Sequence, residues 1–318
     1  MPFLLLNESD VRGLLTMDMA LEAVEEGLRK VGLDEAMNIP RARAQTDHAM
    51  LHVMSASAKT LGVMGYKAYT TSRRGTSFHV GLFDGKSGEL TAIVQADYLG
   101  QVRTGAASGV ATRLLARPEA ATVGLYGAGK QARTQLLAVC QVRAIKNIAV
   151  YARNPENLKT FCEQMAPLCQ CPVEPAARPE DAARGKDIVI TATSSRDPVL
   201  LGEWLENGAH LNIIGSNFLA KSEIDVATVR RAQVIIVDGK EQAHIEAGDF
   251  REAIDTGALL WKDVRELSTL VAGRCKGRET PEQITLFKSL GLAIEDVATA
   301  AKVVARAKEK NVGRWLEW

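Results

Sequence analysis

An apolar run that ends in Gly127-Ala-Gly129 and passes directly into helix formers constrains this chain more than any other feature. Residues 121–126 have the content of a buried strand, and Gln131 to Val142 have the spacing of a helix. In Gly-x-Gly-x-x-Ala, completed here by Ala132, the first glycine permits the bend and the second lets a pyrophosphate approach the backbone. The small third residue lets the helix lie close to the strand, and the helix start turns free N–H groups toward the phosphates. With a second strand at 147–151, the segment reads as a βαβ unit shaped for a dinucleotide; without a ligand it would be an ordinary glycine turn.

The second strand ends Tyr151-Ala-Arg153-Asn154. In a nicotinamide dinucleotide site a carboxylate at this point accepts from the adenine ribose hydroxyls, and none is present. A guanidinium suits a ribose 2′-phosphate instead, because its planar donors match phosphate oxygens. NADPH is therefore the expected cofactor, with NADH the weaker alternative. The competing reading makes Arg153 a solvated cation opening the turn Asn154-Pro155-Glu156.

Length and composition bound the rest. The 318 residues, 46% hydrophobic and 24% charged, suffice for two cores. A net charge of +1 gives no electrostatic footprint for nucleic acid or an acidic membrane surface. The opening Met1-Pro-Phe-Leu-Leu-Leu lacks a basic leader, and no stretch reaches membrane-spanning length, so a cytoplasmic protein is expected. The five cysteines lack paired zinc spacing, and Glu241-Gln-Ala-His244 has no second such pair. Free thiols, a polar helix surface and no metal are the expectation.

Apolar spacing from Ser9 to Gly32 predicts two short helices. From Arg41 to Val94 the runs shorten to strands separated by Gly, Asp and Ser, with Asp84-Gly85 and Ser87-Gly88 favouring a hairpin. A helix is expected from Ala106 to Leu115, broken at Arg117-Pro118. Thereafter strands at 121–126, 147–151, 187–193, 209–215, 233–237 and 284–287, with a poorer one near 172–174, alternate with helices, which predicts a doubly wound parallel sheet. The last helix, about 292 to 310, is assigned back to the first domain. The expected division is 1–113 with 292–318, an α+β domain, and 114–291, a dinucleotide-binding Rossmann-type domain.

Arg41, Lys67 and Arg103 each interrupt an apolar or small-residue run, where a cation is costly to bury without an anion. At these residues the chain resembles the ornithine cyclodeaminase and mu-crystallin family. The resemblance is carried by Ile39-Pro-Arg41, Met54 after Leu51-His-Val, Gly65-Tyr-Lys67, Val102-Arg103-Thr104-Gly, Gly127-Ala-Gly129-Lys-Gln131-Ala, Gly215-Ser-Asn217 with Lys221-Ser-Glu223-Ile-Asp225, and Phe287-Lys-Ser-Leu-Gly-Leu-Ala-Ile-Glu-Asp296.

The resemblance implies a homodimer formed through the N-terminal sheet domain, with a small imino or amino acid as substrate. It assigns the substrate carboxylate to Arg41 and Arg103, places Met54 in the substrate site, and sets Lys67 beside the reacting carbon. Cofactor contacts carry over to Thr104, Gly127, Ala128, Gly129, Lys130, Gln131, Thr193, Gly215 and Ser216, joined by Arg153 and Asn154 from the strand-end reading. One position departs from the pattern: cyclodeaminases and related alanine dehydrogenases carry an aspartate where this chain has Asn217. An amide is no base at neutral pH, whereas cyclodeamination needs a neutral amine and oxidative deamination an activated water. Reduction of an imine has no such need. The expected activity is an NADPH-preferring reduction of small α-imino acids, of the 1-pyrroline-2-carboxylate or ketimine type. Alternatives are an ornithine cyclodeaminase or alanine-type dehydrogenase that manages without the aspartate, and a cofactor-bound storage protein like mu-crystallin.

Overall fold

Short strands in the first hundred residues and strand–helix alternation after them build two sheets of different kind. The computed structural model describes residues 2–317. The chain opens with β1 (Phe3–Leu6), α1 (Glu8–Leu14) and α2 (Met17–Gly32), then β2 (Ala36–Gln45), β3 (Ala49–Ala58), β4 (Val63–Ser72), β5 (Gly75–Asp84), β6 (Leu90–Gln95) and α3 (Asp97–Leu115). It continues through β7 (Thr122–Tyr126), α4 (Lys130–Val142), β8 (Asn147–Tyr151), α5 (Pro155–Cys169), β9 (Val173–Pro175), β10 (Ile188–Thr191) and β11 (His210–Ile213). There follow α6 (Val226–Arg231), β12 (Ala232–Val237), α7 (Lys240–Glu246), α8 (Gly248–Asp255), β13 (Val264–Glu266), α9 (Leu267–Val271) and β14 (Ile284–Lys288). The last elements are α10 (Ala293–Lys310) and β15 (Arg314–Leu316). Contacts divide the chain into two units, Met1–Thr104 with Gly291–Trp318, and Gly105–Leu290.

In the first unit the strand order is β15-β1-β6-β5-β4-β3-β2, antiparallel except where β1 runs parallel to β6. The period of two along β4 puts Gly65, Lys67 and Tyr69 on one face, and α10 packs there. Gly65 is required by that packing, since a Cβ would stand 3.2 Å from the Val297 side chain and 2.5 Å from the Gly81 carbonyl oxygen. Helix α2 buries Leu21, Val24 and Leu28 on one stripe and starts with Thr16, whose hydroxyl accepts from the Met19 N–H at 3.4 Å.

In the second unit eight parallel strands lie in the order β13-β12-β14-β11-β10-β7-β8-β9. The central β10, β11 and β14 are buried at every residue. Strand β10 reads as an apolar run ending in Thr191, while β11 and β14 also bury His210, Asn212, Thr285 and Lys288, with His210 paired to Thr285 and Asn212 to Thr112. The chain works outward from β7 to β9, then returns to pair β10 on the other side of β7. At such a reversal the loops at the carboxyl ends of neighbouring strands diverge and leave a crevice for a ligand.

Two features differ from expectation. The helix expected from Ala106 begins at Asp97, because the Glu8 carboxylate caps it from far upstream, accepting from the N–H of Asp97 at 2.6 Å and of Tyr98 at 3.2 Å. Arg103 and Thr104 therefore sit within a helix. Strands β13 and β15 have three residues each and lie at sheet edges, too short for a periodic pattern. No helix among the described residues is long and apolar enough to cross a membrane.

Candidate active site

The glycine turn of the second unit separates two demands on the backbone. Gly127 has φ +109°, and a Cβ there would stand 2.5 Å from the Ala192 carbonyl oxygen, so the protein itself requires glycine. At Gly129, the residue before α4, a Cβ would meet nothing within 4 Å. The fold does not require glycine at 129, and open space at a helix start is what a phosphate-bearing ligand needs. Ala132 is fully buried, as close helix packing needs.

Around this turn lies a cavity of about 860 Å³ walled by Gly127 to Gln131, Tyr151 to Pro155, Ala192 to Ser195 and neighbours. The volume suits a large cofactor. The structure brings Gly127, Ala128, Gly129, Lys130, Gln131, Arg153, Asn154 and Thr193 to this one cavity. None of its lining residues is acidic, and Lys130 and Arg153 are both exposed beside it. The Asn154 side chain caps α5, accepting from the Asn157 N–H at 2.8 Å.

Gly215, Ser216 and Asn217 follow β11 and do not line that cavity. They are held from beneath by buried charge. The Glu223 carboxylate accepts from the Gly215 N–H at 2.6 Å, and from the Thr193 N–H, the Thr193 hydroxyl and the Thr191 hydroxyl at 2.7 Å each. Burial pushes the Glu223 carboxyl up from its ordinary range, opposed by Lys288 and the threonine donors. Lys288 pairs with Asp249 at 2.7 Å and donates to the Ser216 carbonyl at 2.7 Å.

The first unit gathers a different set. Antiparallel register places Met54 of β3 opposite Lys67 of β4, and both are buried. Lys67 Nζ donates to Asp296 Oδ1 at 2.7 Å; it is admitted by Gly100, whose added Cβ would lie 3.0 Å from that nitrogen. Arg103 Nε donates to the same Asp296 oxygen at 3.1 Å, and its Nη1 to Glu295 Oε2 at 2.6 Å. Arg41 donates to the Gly291 carbonyl at 3.2 Å, and a Cβ at Gly291 would lie 2.7 Å from Arg103 Nη1. Arg41, Lys67 and Arg103 are 3–6% exposed, and both carboxylates are fully buried. These carboxylates stand in the first turn of α10, where the helix dipole favours them.

Burial lowers the Lys67 pKa to about 8, against the pull of Asp296 and with the push of Arg103 and Arg41. Burial also acts against the Arg103 charge, but Asp296 and Glu295 outweigh it and raise its pKa. His52 stacks on Tyr69 with ring centroids 4.1 Å apart. Burial beside Arg43 and Arg41 takes its pKa down to about 4, so it is neutral near pH 7 and carries no proton to donate there as a cation. Thr104 uses its hydroxyl within α3, donating to the Gly100 carbonyl at 2.7 Å.

Sequence reading named the three cations and missed the acids that hold them. Glu295 and Asp296 stand in Ala293-Ile-Glu-Asp-Val-Ala, a run too apolar for a solvated pair, and that mismatch could have flagged them. The same holds for Lys288 at the end of the buried strand Ile284–Lys288.

A profile of the ornithine cyclodeaminase/mu-crystallin family matches residues 3–311. A Δ1-pyrroline-2-carboxylate reductase of Bacillus cereus is 30% identical over 328 residues, covering 99% of this chain and all of that protein. The solved Δ1-pyrroline-2-carboxylate reductase of Thermococcus litoralis, in complex with NADH and L-proline, is 35% identical with a TM-score of 0.94, covering 98% of this chain and 99% of that one. An archaeal alanine dehydrogenase dimer with bound NAD is 33% identical with a TM-score of 0.94 over the whole of both chains. With its glycine turn, buried cations and full-length match, the chain belongs to the ornithine cyclodeaminase/mu-crystallin family.

Proposed function

We propose that this protein is an NADPH-preferring reductase that converts small α-imino acids, of the 1-pyrroline-2-carboxylate or ketimine type, to amino acids. The observation that carries this reading is the buried cluster of the first unit. Arg41, Lys67 and Arg103 are buried together, with Lys67 and Arg103 sharing Oδ1 of Asp296 and Arg103 held by Glu295 as well. Cations concentrated in a buried site suit a substrate carboxylate. A storage protein for apolar ligands has no use for such a cluster.

When bound, NADPH supplies a hydride to the imine carbon. Arg41 and Arg103 bind and orient the carboxylate, Arg103 being fixed from behind by Glu295 and Asp296. Lys67 Nζ gives a proton to the imine nitrogen, so the C=N π pair becomes an N–H bond and Lys67 is left neutral until it regains a proton from solvent. Asp296 holds that ammonium in place, and a pKa of about 8 keeps it protonated at pH 7 yet willing to donate. Asn217 leaves the turn after β11 without the base that amine-directed chemistry needs.

NADPH is favoured over NADH by Arg153 and the absence of any carboxylate in the cavity wall. Homodimer formation is supported by the sheet face opposite α10, where Met37, Ile39, Leu51 and Val53 are 38–61% exposed. Five free cysteines accord with a reducing cytoplasm. The test is a panel of imino acids, with ornithine and alanine, assayed in both directions with NADPH and NADH. Reduction of 1-pyrroline-2-carboxylate near neutral pH supports the assignment; faster turnover of ornithine or alanine replaces it with a cyclodeaminase or dehydrogenase.

A further inference from the structure

We propose that Glu223 is a positioning residue for the nicotinamide half of the cofactor, a carboxylate that fixes the loops leaving β10 and β11 against each other. The inference rests on the dinucleotide reading of the second unit and adds a residue to it. In a doubly wound sheet a dinucleotide spans two mononucleotide halves. Here the glycine turn and Arg153 mark the β7–β8 half as the adenine side, which leaves β10 and β11 for the nicotinamide side.

The parallel ladder of β10 and β11 ends with the Ile214 N–H donating to the Thr191 carbonyl at 2.9 Å. The next free N–H on each strand end is that of Thr193 and of Gly215, and both donate to Glu223. One side chain thus continues the strand pairing into the loops. Each of its oxygens receives two donors: Oε1 takes the Thr193 N–H and hydroxyl, and Oε2 takes the Gly215 N–H and the Thr191 hydroxyl. A glutamine would set an NH2 group against a backbone N–H that has nothing to accept with. Gly215 is part of the same device, since a Cβ there would lie 2.3 Å from Glu223 Oε1 and 2.3 Å from the Thr193 carbonyl. The Thr193 hydroxyl donates to Glu223 and accepts from the Ser195 N–H at 3.1 Å, so its proton is committed to the clamp.

Glu223 is itself fixed. Its N–H donates to Asp249 Oδ1 at 2.6 Å, and its carbonyl accepts from Val199 and Leu200 at 2.8 and 3.1 Å. Asp249 pairs with Lys288, which reaches the Ser216 carbonyl and returns to the loop that Glu223 holds at Gly215. The contacts form a closed circuit through three buried charges, and an element held on all sides keeps its geometry when ligand binds.

The test compares a whole cofactor with half of one. Binding of NADPH and of 2′,5′-ADP is measured by calorimetry for wild type, Glu223→Gln and the milder Thr193→Val. The expected result is that Glu223→Gln weakens NADPH by about tenfold or more, leaving 2′,5′-ADP within about twofold of wild type. Thr193→Val shifts in the same direction by less. In steady state the KM for NADPH rises while that for the imine does not. Equal weakening of both ligands in Thr193→Val, or unchanged NADPH binding in Glu223→Gln, overturns the proposal. If wild type favours NADH, the pair is NADH with AMP and the expectation is the same. If wild type binds no dinucleotide, the cofactor reading fails on wild type alone and this inference falls with it.

Discussion

The two units meet the need for a functional site in opposite ways. The second builds its crevice from backbone, with a glycine turn, a helix start and exposed cations such as Lys130 and Arg153 at the rim. The first builds from buried charge, with Lys67 and Arg103 sealed against Glu295 and Asp296. A backbone crevice tolerates loss of a rim side chain, because the N–H groups remain. A buried charge cluster does not, because removing one member leaves another unpaired. Sensitivity to substitution should therefore differ between the units, and five substitutions examine this.

The largest effect is expected outside both the crevice wall and the charge cluster, at Asn217 in the turn after β11. Asn217→Asp restores a base, so amine-directed activity should rise relative to imine reduction by on the order of 10² to 10⁴. Proline and ammonia formed from ornithine with catalytic NAD report it, and rapid proline formation by wild type would remove the imine-reductase assignment.

Arg103→Met should abolish most turnover and also cost about 3 to 5 kcal/mol of stability, because Glu295 and Asp296 lose a buried partner. Chemical denaturation measures the second quantity, and cofactor titration of the folded fraction should be nearly unchanged. Adding Glu295→Gln should recover part of the stability and none of the activity. A stable Arg103→Met would mean that Glu295 and Asp296 do not depend on Arg103 to remain buried.

A pH profile sharpens the role of Lys67. With a pKa of about 8, imine reduction should hold steady below pH 8 and fall above it as the ammonium deprotonates. Asp296→Asn removes the charge that favours the ammonium and should move this limb down by about 1 to 3 units. The same depressed pKa makes stability rise from about pH 8 toward the ordinary lysine value, since the unfolded chain binds the proton more tightly there. A limb that stays in place in Asp296→Asn would reassign the proton donor.

The smallest effect belongs to the rim. Arg153→Ala should weaken NADPH by about tenfold, the low end for a charged hydrogen bond because the guanidinium is exposed and screened. NADH use should barely change; equal losses for both would end the 2′-phosphate role.

What sequence made legible follows the same division. The glycine turn is local, with every residue of the motif within six positions, so its fold and ligand class could be read together. The doubly wound sheet was legible because its central strands are buried on both faces. The charge cluster is not local: Lys67 meets Asp296 across 229 positions, and no periodicity connects them. The apolar context and the resemblance singled out the cations, while Glu295 and Asp296 stood in a motif without a role until the structure paired them. Glu223 was visible as part of a motif, but its four donors come from segments 8 to 32 residues away. The start of α3 was misplaced for the same reason, since its cap comes from Glu8.

Helix α10 has a consequence for the order in which this molecule can be made. It supplies both acids of the first unit's cluster, yet it leaves the ribosome after every residue of the second unit. The N-terminal strands and the start of α3 emerge first with three cations destined for burial, before the acids that pair with Lys67 and Arg103 are made. The second unit is continuous in sequence and can close while synthesis proceeds. The first cannot finish until the final thirty or so residues arrive, so during translation it is the early-born part of the chain that folds last. Nascent chains arrested before residue 291 should accordingly show a protease-resistant second unit and a cleavable N-terminal segment.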